Sequence, residues 1–297
     1  MKNNFRAILF TLISILLLTG CTNALDEGTS TDSSITKPVT SSTDQVSVHM
    51  IDVGQGDSIF IQTPKENIVI DGGNKGKGET VIEYLKQHGV KQLDAVISTH
   101  PDADHIGGLA DIIDAFPVKS VYAPKITHTT IAYRNFLQAV KEQGLKIKVA
   151  KNGVEIPVNE ESLDLHFIGP VKDYSKSDLN DWSGVLLMQH GDKKFLFTGD
   201  AETPAEEDML NAGVVPKVDV LKVSHHGAKE ASNSDFLAVT KPTYAAISVG
   251  EGNRYHHPTD EALNRLKAVH AKIYRTDQHG NIVFTSNGST ISVKVEK

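Results

Sequence analysis

Thr99-His100-Pro101-Asp102-Ala103-Asp104-His105-Ile106-Gly107-Gly108 places two histidines and two aspartates within six positions, directly after the apolar run 93–98. A buried strand gains nothing by ending in four such side chains, because each must be desolvated and paired. Imidazole nitrogens and carboxylate oxygens at this spacing instead suit one or two divalent cations of the Zn2+ or Mn2+ kind. In an extended loop His100 and Asp102, two apart, face one ion, and the adjacent Asp104 and His105 turn toward a second. Two ions about 3.5–4 Å apart lower the pKa of a shared water and neutralise charge developing on a phosphate or carboxylate oxygen, so that hydrolysis needs no protein nucleophile.

Such a centre needs a bridging carboxylate and a further imidazole, and both occur later, again after apolar runs. Asp200 closes Thr198-Gly199-Asp200 behind 195–197, and Ser224-His225-His226-Gly227 follows 218–223. Asp200 is placed to bridge. One of His225 and His226 supplies the imidazole, and the other remains as an acid–base group near the substrate. Asp71, at the end of the run 67–70 and against Gly72-Gly73, either shapes a turn or accepts a hydrogen bond from a ligand. In Asn253-Arg254-Tyr255-His256-His257-Pro258, His257 either protonates a leaving group or binds phosphate, or else packs under Pro258; His256, Asn253 and Arg254 are weaker candidates. Trp182 reads as core or cleft wall. His49, His88, His128, His166, His190, His270 and His279 stand outside these motifs and read as structural or surface residues.

Around the motifs, strands at 46–50, 58–62, 67–70 and 93–98 alternate with helices at 80–88 and 106–116. The alternation continues through strands 120–122 and 146–150 around a helix at 131–144. In the second half, strands at 163–168, 184–189, 193–197, 218–223 and 244–249 interleave with helices at 202–212, 235–240 and 259–270, and strands near 272–274, 281–285 and 289–295 close the chain. This pattern predicts a layered α/β fold. The 297 residues are 39% hydrophobic and carry a formal charge of −7, which supplies no broad basic footprint for nucleic acid.

Cys21 is the only cysteine, so an intrachain disulfide and a cysteine-rich zinc cluster are both excluded. Lys2 and Arg6 accompany an apolar run at 7–18, which is short for a membrane span of about 20 residues and suits a secretory signal. Leu18-Thr19-Gly20-Cys21 then resembles a bacterial lipobox. The expectation is a lipoprotein signal peptide over 1–20, a lipidated Cys21 with a Ser/Thr-rich linker over 21–44, and a folded domain over 45–297. Eleven of the residues 22–44 are Ser or Thr, too polar to offset the entropy of ordering them. The protein is thus expected to be lipid-anchored at the extracytoplasmic face of the cell membrane.

The ordered set of motifs resembles the metallo-β-lactamase fold, a four-layer αββα sandwich with metals at one edge. The family's first motif, H-x-H-x-D-H, reads here His100-Pro101-Asp102-Ala103-Asp104-His105, with aspartate for the second histidine. That variant is similar to the extracellular hydrolase domain of ComEC-type competence proteins and to bacterial phosphorylcholine esterases acting on teichoic acid. Asp52-Val53-Gly54-Gln55-Gly56-Asp57, Ile70-Asp71-Gly72-Gly73 and Asn253–Pro258 extend the first likeness.

By that resemblance His100 and Asp102 hold one metal, Asp104 and His105 the other, Asp200 bridges and His225 caps the second. The family's third motif brings another histidine, where this chain has Asn180-Asp181-Trp182-Ser183, so two unequal sites for Zn2+ or Mn2+ are expected. Asp104, His226 and His257 are the candidate catalytic residues. The implied function is metal-dependent hydrolysis of a phosphodiester, in DNA or a wall polymer. Cleavage of amides or lactones, and non-catalytic binding by a surface lipoprotein, are the alternatives.

Overall fold

Residues 45–297 are described by the structure, a computed structural model; the expected signal, anchor and linker lie outside the described residues. The strands are β1 (Val46–Met50), β2 (Ile59–Gln62), β3 (Asn67–Ile70), β4 (Ala95–Ile97), β5 (Val121–Ala123), β6 (Ile147–Val149) and β7 (Leu163–Phe167). They continue as β8 (Leu186–His190), β9 (Lys193–Phe197), β10 (Val220–Lys222), β11 (Tyr244–Ile247), β12 (Lys272–Arg275), β13 (Ile282–Ser286) and β14 (Ile291–Val295). One sheet runs β14-β13-β1-β2-β3-β4-β5-β6 and the other β12-β11-β10-β9-β8-β7. Pairing is parallel from β3 through β6 and from β9 through β12.

Period-two burial explains the layering. Val48, Met50, Ile59, Ile61, Ile68, Ile70 and Ile97 point inward and meet Leu186, Met188, Phe195 and Phe197 of the facing sheet. Phe60, Val69 and Val96 point the other way, toward α1 (Gly78–Gln87), α3 (Leu109–Ala115) and α4 (Ile131–Glu142). Leu187, Leu196, Leu221 and Ile247 likewise meet α5 (Thr203–Asn211), α6 (Ser234–Thr240) and α7 (Asp260–Ala268). Strands covered on both faces read as continuous apolar runs, and each buried large side chain contributes about 1.5–3 kcal/mol. Thr130, Asn233 and Thr259 cap three of the helices by accepting from Tyr133, Phe236 and Ala262 backbone N–H groups. The result is the expected αββα sandwich. Among the described residues no helix is long and apolar enough to cross a membrane.

One expected element is divided. The helix read over 106–116 becomes α2 (Ala103–Ile106) and α3, separated at Gly107-Gly108. The loop after β3 docks there: Gly72 N–H donates to the His105 carbonyl and Gly108 N–H to that of Gly73. A Cβ on Gly108 would meet the Gly78 backbone at 2.8 Å, so the close approach requires glycine. A short helix α8 (Thr276–His279) also forms where none was expected.

Candidate metal centre

Because β3 and β4 are parallel, as are β9, β10 and β11, their carboxyl ends share one edge of the sandwich, the usual place for sites in such sheets. Asp71 follows β3, Thr99 to His105 follow β4, Asp200 follows β9, His225 and His226 follow β10, and Ser248 follows β11. The two sheets are tied at this edge by Gly184 N–H donating to the Thr99 carbonyl (2.8 Å).

Three imidazoles here have one nitrogen braced and the other without a hydrogen-bond partner. His105 Nδ1–H donates to Asp71 (2.8 Å), and His226 Nδ1–H to the Ser248 carbonyl (2.8 Å). His100 Nδ1–H donates to the Thr99 hydroxyl (3.1 Å), which itself donates to Asp71 (2.6 Å). Asp71, held at φ 59°, also accepts from Thr99 N–H at 2.8 Å. The Nε2 atoms of His100, His105 and His226 are buried and make no hydrogen bond, facing only the carboxylates of Asp102, Asp104 and Asp200 at 3.1–3.7 Å. They converge with carboxylates in two groups, His100/His105/Asp200 and Asp104/His105/His226, with ligand atoms within 4.8 Å of one another. Rings braced at one nitrogen, with the other aimed at a shared group of carboxylates, are the arrangement that metal-binding histidines adopt.

Asp200 lies at the centre. Its Oδ2 is 3.1 Å from His105 Nε2 and 3.4 Å from His226 Nε2, and its Oδ1 is 3.5 Å from Lys222 Nζ. Burial favours its neutral form, yet His105, His226 and Lys222 hold it well below the usual carboxylate range. Conversely, burial opposes the charge on His226, but Asp200 and Asp104 push it up to about 9. His105 is raised against burial by Asp200 and Asp71. His100 drops to about 3 through burial and the neighbouring His105.

Two residues that motif reading passed over complete the floor. Lys222, fully buried, reaches across from β10 to Asp57 (2.6 Å) and to the Gly199 carbonyl (2.9 Å). Burial pulls this ammonium toward neutrality, but Asp57 and Asp200 outweigh it and raise it. Asp57 Oδ1 also lies 3.5 Å from His226 Nδ1. The available signal was Lys222 itself, a lone lysine in an otherwise apolar strand.

The remaining candidates stand at the rim. Asp102 is 38% exposed, with Oδ2 3.7 Å from His100 Nε2. His225 Nε2 is 3.8 Å from Asp200, and its Nδ1 pairs with Glu202 at 3.0 Å. His225 and His226 have φ of 46° and 53°, which aims consecutive rings in different directions; each such residue costs about 1–2 kcal/mol. His257 stacks on Tyr255 and meets His225 edge-on. Burial and the nearby His225 and His226 lower His257 to about 4. Asn253 holds this loop by accepting from the Tyr255 and His257 N–H groups, while Arg254 and His256 are exposed. Residues 180–183 send no imidazole inward: Asn180 contacts Glu202 and His225, and the Ser183 hydroxyl accepts from Asp200 N–H. Asp102, Asp104, Asp200, His225, His226 and His257 line a cavity of about 180 Å3.

Residues 51–251 match the sequence profile of the Metallo-beta-lactamase superfamily. ComE operon protein 3 of Bacillus subtilis (strain 168) is 36% identical over 255 residues, covering 80% of this chain and 32% of that protein. Competence protein ComA of Neisseria gonorrhoeae is 29% identical over 242 residues, covering 81% and 32%. The chain therefore spans about a third of the length of these ComEC-type relatives. The crystal structure of the metallo-beta-lactamase fold protein YhfI from Bacillus subtilis superposes with a TM-score of 0.52 at 13% identity, covering 82% of this chain and all of the other, a likeness of fold. With the profile covering most of the domain and the motifs gathered at one sandwich edge, the chain belongs to the metallo-beta-lactamase superfamily.

Proposed function

We propose that this protein is a metal-dependent phosphodiesterase that works outside the cytoplasm. The observation that carries the reading is the convergence of three buried imidazole nitrogens, of His100, His105 and His226, with Asp104 and Asp200 in two overlapping groups beneath one cavity. In formal charges, Asp57, Asp71, Asp102, Asp104 and Asp200 face the single ammonium of Lys222, and two divalent cations balance the difference. The mixed nitrogen and oxygen donors fit Zn2+ or Mn2+. His105, Asp104 and His226 would hold one ion, and His100 with Asp102 would hold a second, with Asp200 between them. His226 fits the inner position better than His225, whose Nδ1 is committed to Glu202. Ions bound there would supply Lewis acidity and charge neutralisation to a phosphodiester group.

The chain's own groups would do the rest. Asp71 and the Ser248 carbonyl fix the orientation of His105 and His226. Arg254 and Tyr255 line a neighbouring cavity of about 430 Å3, suited to an anionic substituent. At neutral pH His257, held near 4, is uncharged, so it would orient a phosphate oxygen through a hydrogen bond and not as a cation.

Metal-stripped protein reloaded with Mn2+ or Zn2+ is expected to hydrolyse bis(4-nitrophenyl) phosphate, and Asp104→Asn to abolish this. Full activity in the variant would sink the mechanism, and turnover of a chromogenic cephalosporin without phosphodiester cleavage would favour the amide reading. The lipobox-like Leu18-Thr19-Gly20-Cys21 supports anchoring to the outer face of the membrane. Incorporation of labelled palmitate that is lost in Cys21→Ala tests that location.

A further inference from the structure

The turn that carries His225 and His226 is strained, and two charged side chains outside the centre support it. His225, His226 and Ser232 have φ of 46°, 53° and 51°, and Gly227 between them stands at 80°. So much left-handed backbone in one short stretch persists only where the surroundings over-determine it. Glu206, on α5 and fully buried, accepts the Ser232 N–H at 2.7 Å and the Asn233 N–H at 2.9 Å, one on each carboxylate oxygen. Arg265, on α7, grips the same segment by its carbonyls. Its Nε donates to Ser232 at 2.9 Å, and one Nη donates to Ala231 at 2.7 Å and to Lys229 at 3.0 Å. Thr203 adds its hydroxyl and its backbone N–H at the Glu230 carbonyl.

This clamp passes to the centre through one hydrogen bond. Ser232, fixed at its N–H by Glu206 and at its carbonyl by Arg265, accepts the Ser224 N–H on its hydroxyl at 3.2 Å. Ser224 immediately precedes the two histidines, and both serines are buried. Packing alone does not account for Glu206. Burial pushes its carboxyl up to about 7, against the pull of the Asn233 and Ser232 N–H groups and the charge of Arg265. An apolar side chain would fill the space under α5 at less cost. Two oxygens are what the paired N–H groups require.

We propose that Glu206 and Arg265 are positioning residues for the metal site of Asp104, His105 and His226, holding the His225–His226 turn in its left-handed form without touching the centre. The assignment rests on the metal-centre reading and names what keeps its most strained ligand in place. Neither His100 nor His105 has left-handed backbone. His226 does, and its ring is braced by the Ser248 carbonyl while its backbone depends on the segment that Glu206 and Arg265 grip.

Full-length protein, stripped of metal, is titrated calorimetrically with Mn2+ as wild type, Glu206→Gln and Arg265→Lys. Glutamine keeps the shape of the side chain but turns an NH2 group toward one of the two N–H donors. Lysine keeps the charge and loses the fork that serves three carbonyls. Each variant is expected to weaken the tighter site by about three- to tenfold, less than the loss of a direct brace. Each should also change the visible bands of the Co2+-loaded protein, which report ligand geometry. Val81→Ala, which cuts into the core under α1 in the opposite outer layer, should lower stability to denaturant and leave affinity and bands at wild type. Affinities and bands equal to wild type in both clamp variants would overturn the proposal. So would an equal loss in Val81→Ala, since affinity would then follow stability alone. If Glu206→Gln does not fold, Ser232→Ala, which removes only the hydroxyl that holds the Ser224 N–H, is read by the same criteria. Should wild type bind no Mn2+, the metal reading falls by itself. Backbone amide shifts of His225 and His226 in the metal-free protein, if unchanged by Glu206→Gln, would then overturn the positioning as well.

Discussion

The inner and outer halves of the candidate metal centre share a sheet edge but not an environment. Around His105, His226 and Asp200 every ring is braced from behind by Asp71 or a backbone carbonyl, and a buried ammonium lies beneath. Around His100 and Asp102 only the histidine is buried; the carboxylate is 38% exposed and the stretch 180–183 contributes no imidazole. The contrast teaches that ligand count is a poor guide to a site's strength. What sets the halves apart is how many atoms hold the ligands before an ion arrives.

The most damaging way to test the inner half is to remove its floor. Lys222→Met leaves Asp57 buried without its ammonium and should cost the metal-free protein about 3–5 kcal/mol in denaturant unfolding. Adding Asp57→Asn should restore much of that loss, because the uncompensated charge is gone. A stability unchanged in Lys222→Met would mean that the ammonium is not needed there.

Next in size comes the choice between adjacent rings. Calorimetric titration with Mn2+ should show His226→Ala weakening the tighter site more than about a hundredfold, beyond the range that outer partners command. His225→Ala should cost less than about tenfold, and the reverse order would break the assignment. Asp71→Asn, which keeps the shape but weakens the brace on His105, should lower affinity about 10–100-fold at the tighter site and less at the weaker one, whose His100 it reaches only through Thr99.

The smallest effect is a pH dependence. In the metal-free protein His226 carries its proton up to about pH 9, because Asp200 and Asp104 outweigh burial. An incoming ion must displace that proton. Affinity should therefore rise with pH, by up to about tenfold per unit from the His226 proton alone, through the range below about 9. Titrations in two buffers of different ionisation enthalpy should report proton release at pH 7; an absence of release would place the ion elsewhere.

Much of this architecture was legible because strands covered on both faces announce themselves as apolar runs, and the runs 93–98, 195–197 and 218–223 each deliver polar residues at one end. His100, Asp104, His105 and Asp200 were readable for that reason, and their atoms meet. Lys222 was visible as an interruption, but its partner Asp57 lies in the loop between β1 and β2, and nothing in the spacing of the two predicts the contact. The choice between His225 and His226 depends on left-handed backbone, which residue types alone do not specify.

The left-handed turn at His225 and His226 has an evolutionary consequence. One ring looks inward at Asp104 and Asp200 and its neighbour looks outward at Glu202 and His257. The two rings point apart because both residues keep left-handed backbone in one short turn, so the inward and outward positions depend on a single local geometry. Substitutions at His225, Glu202 and His257 would change what the rim recognises while this turn keeps its length and His226 its inward position.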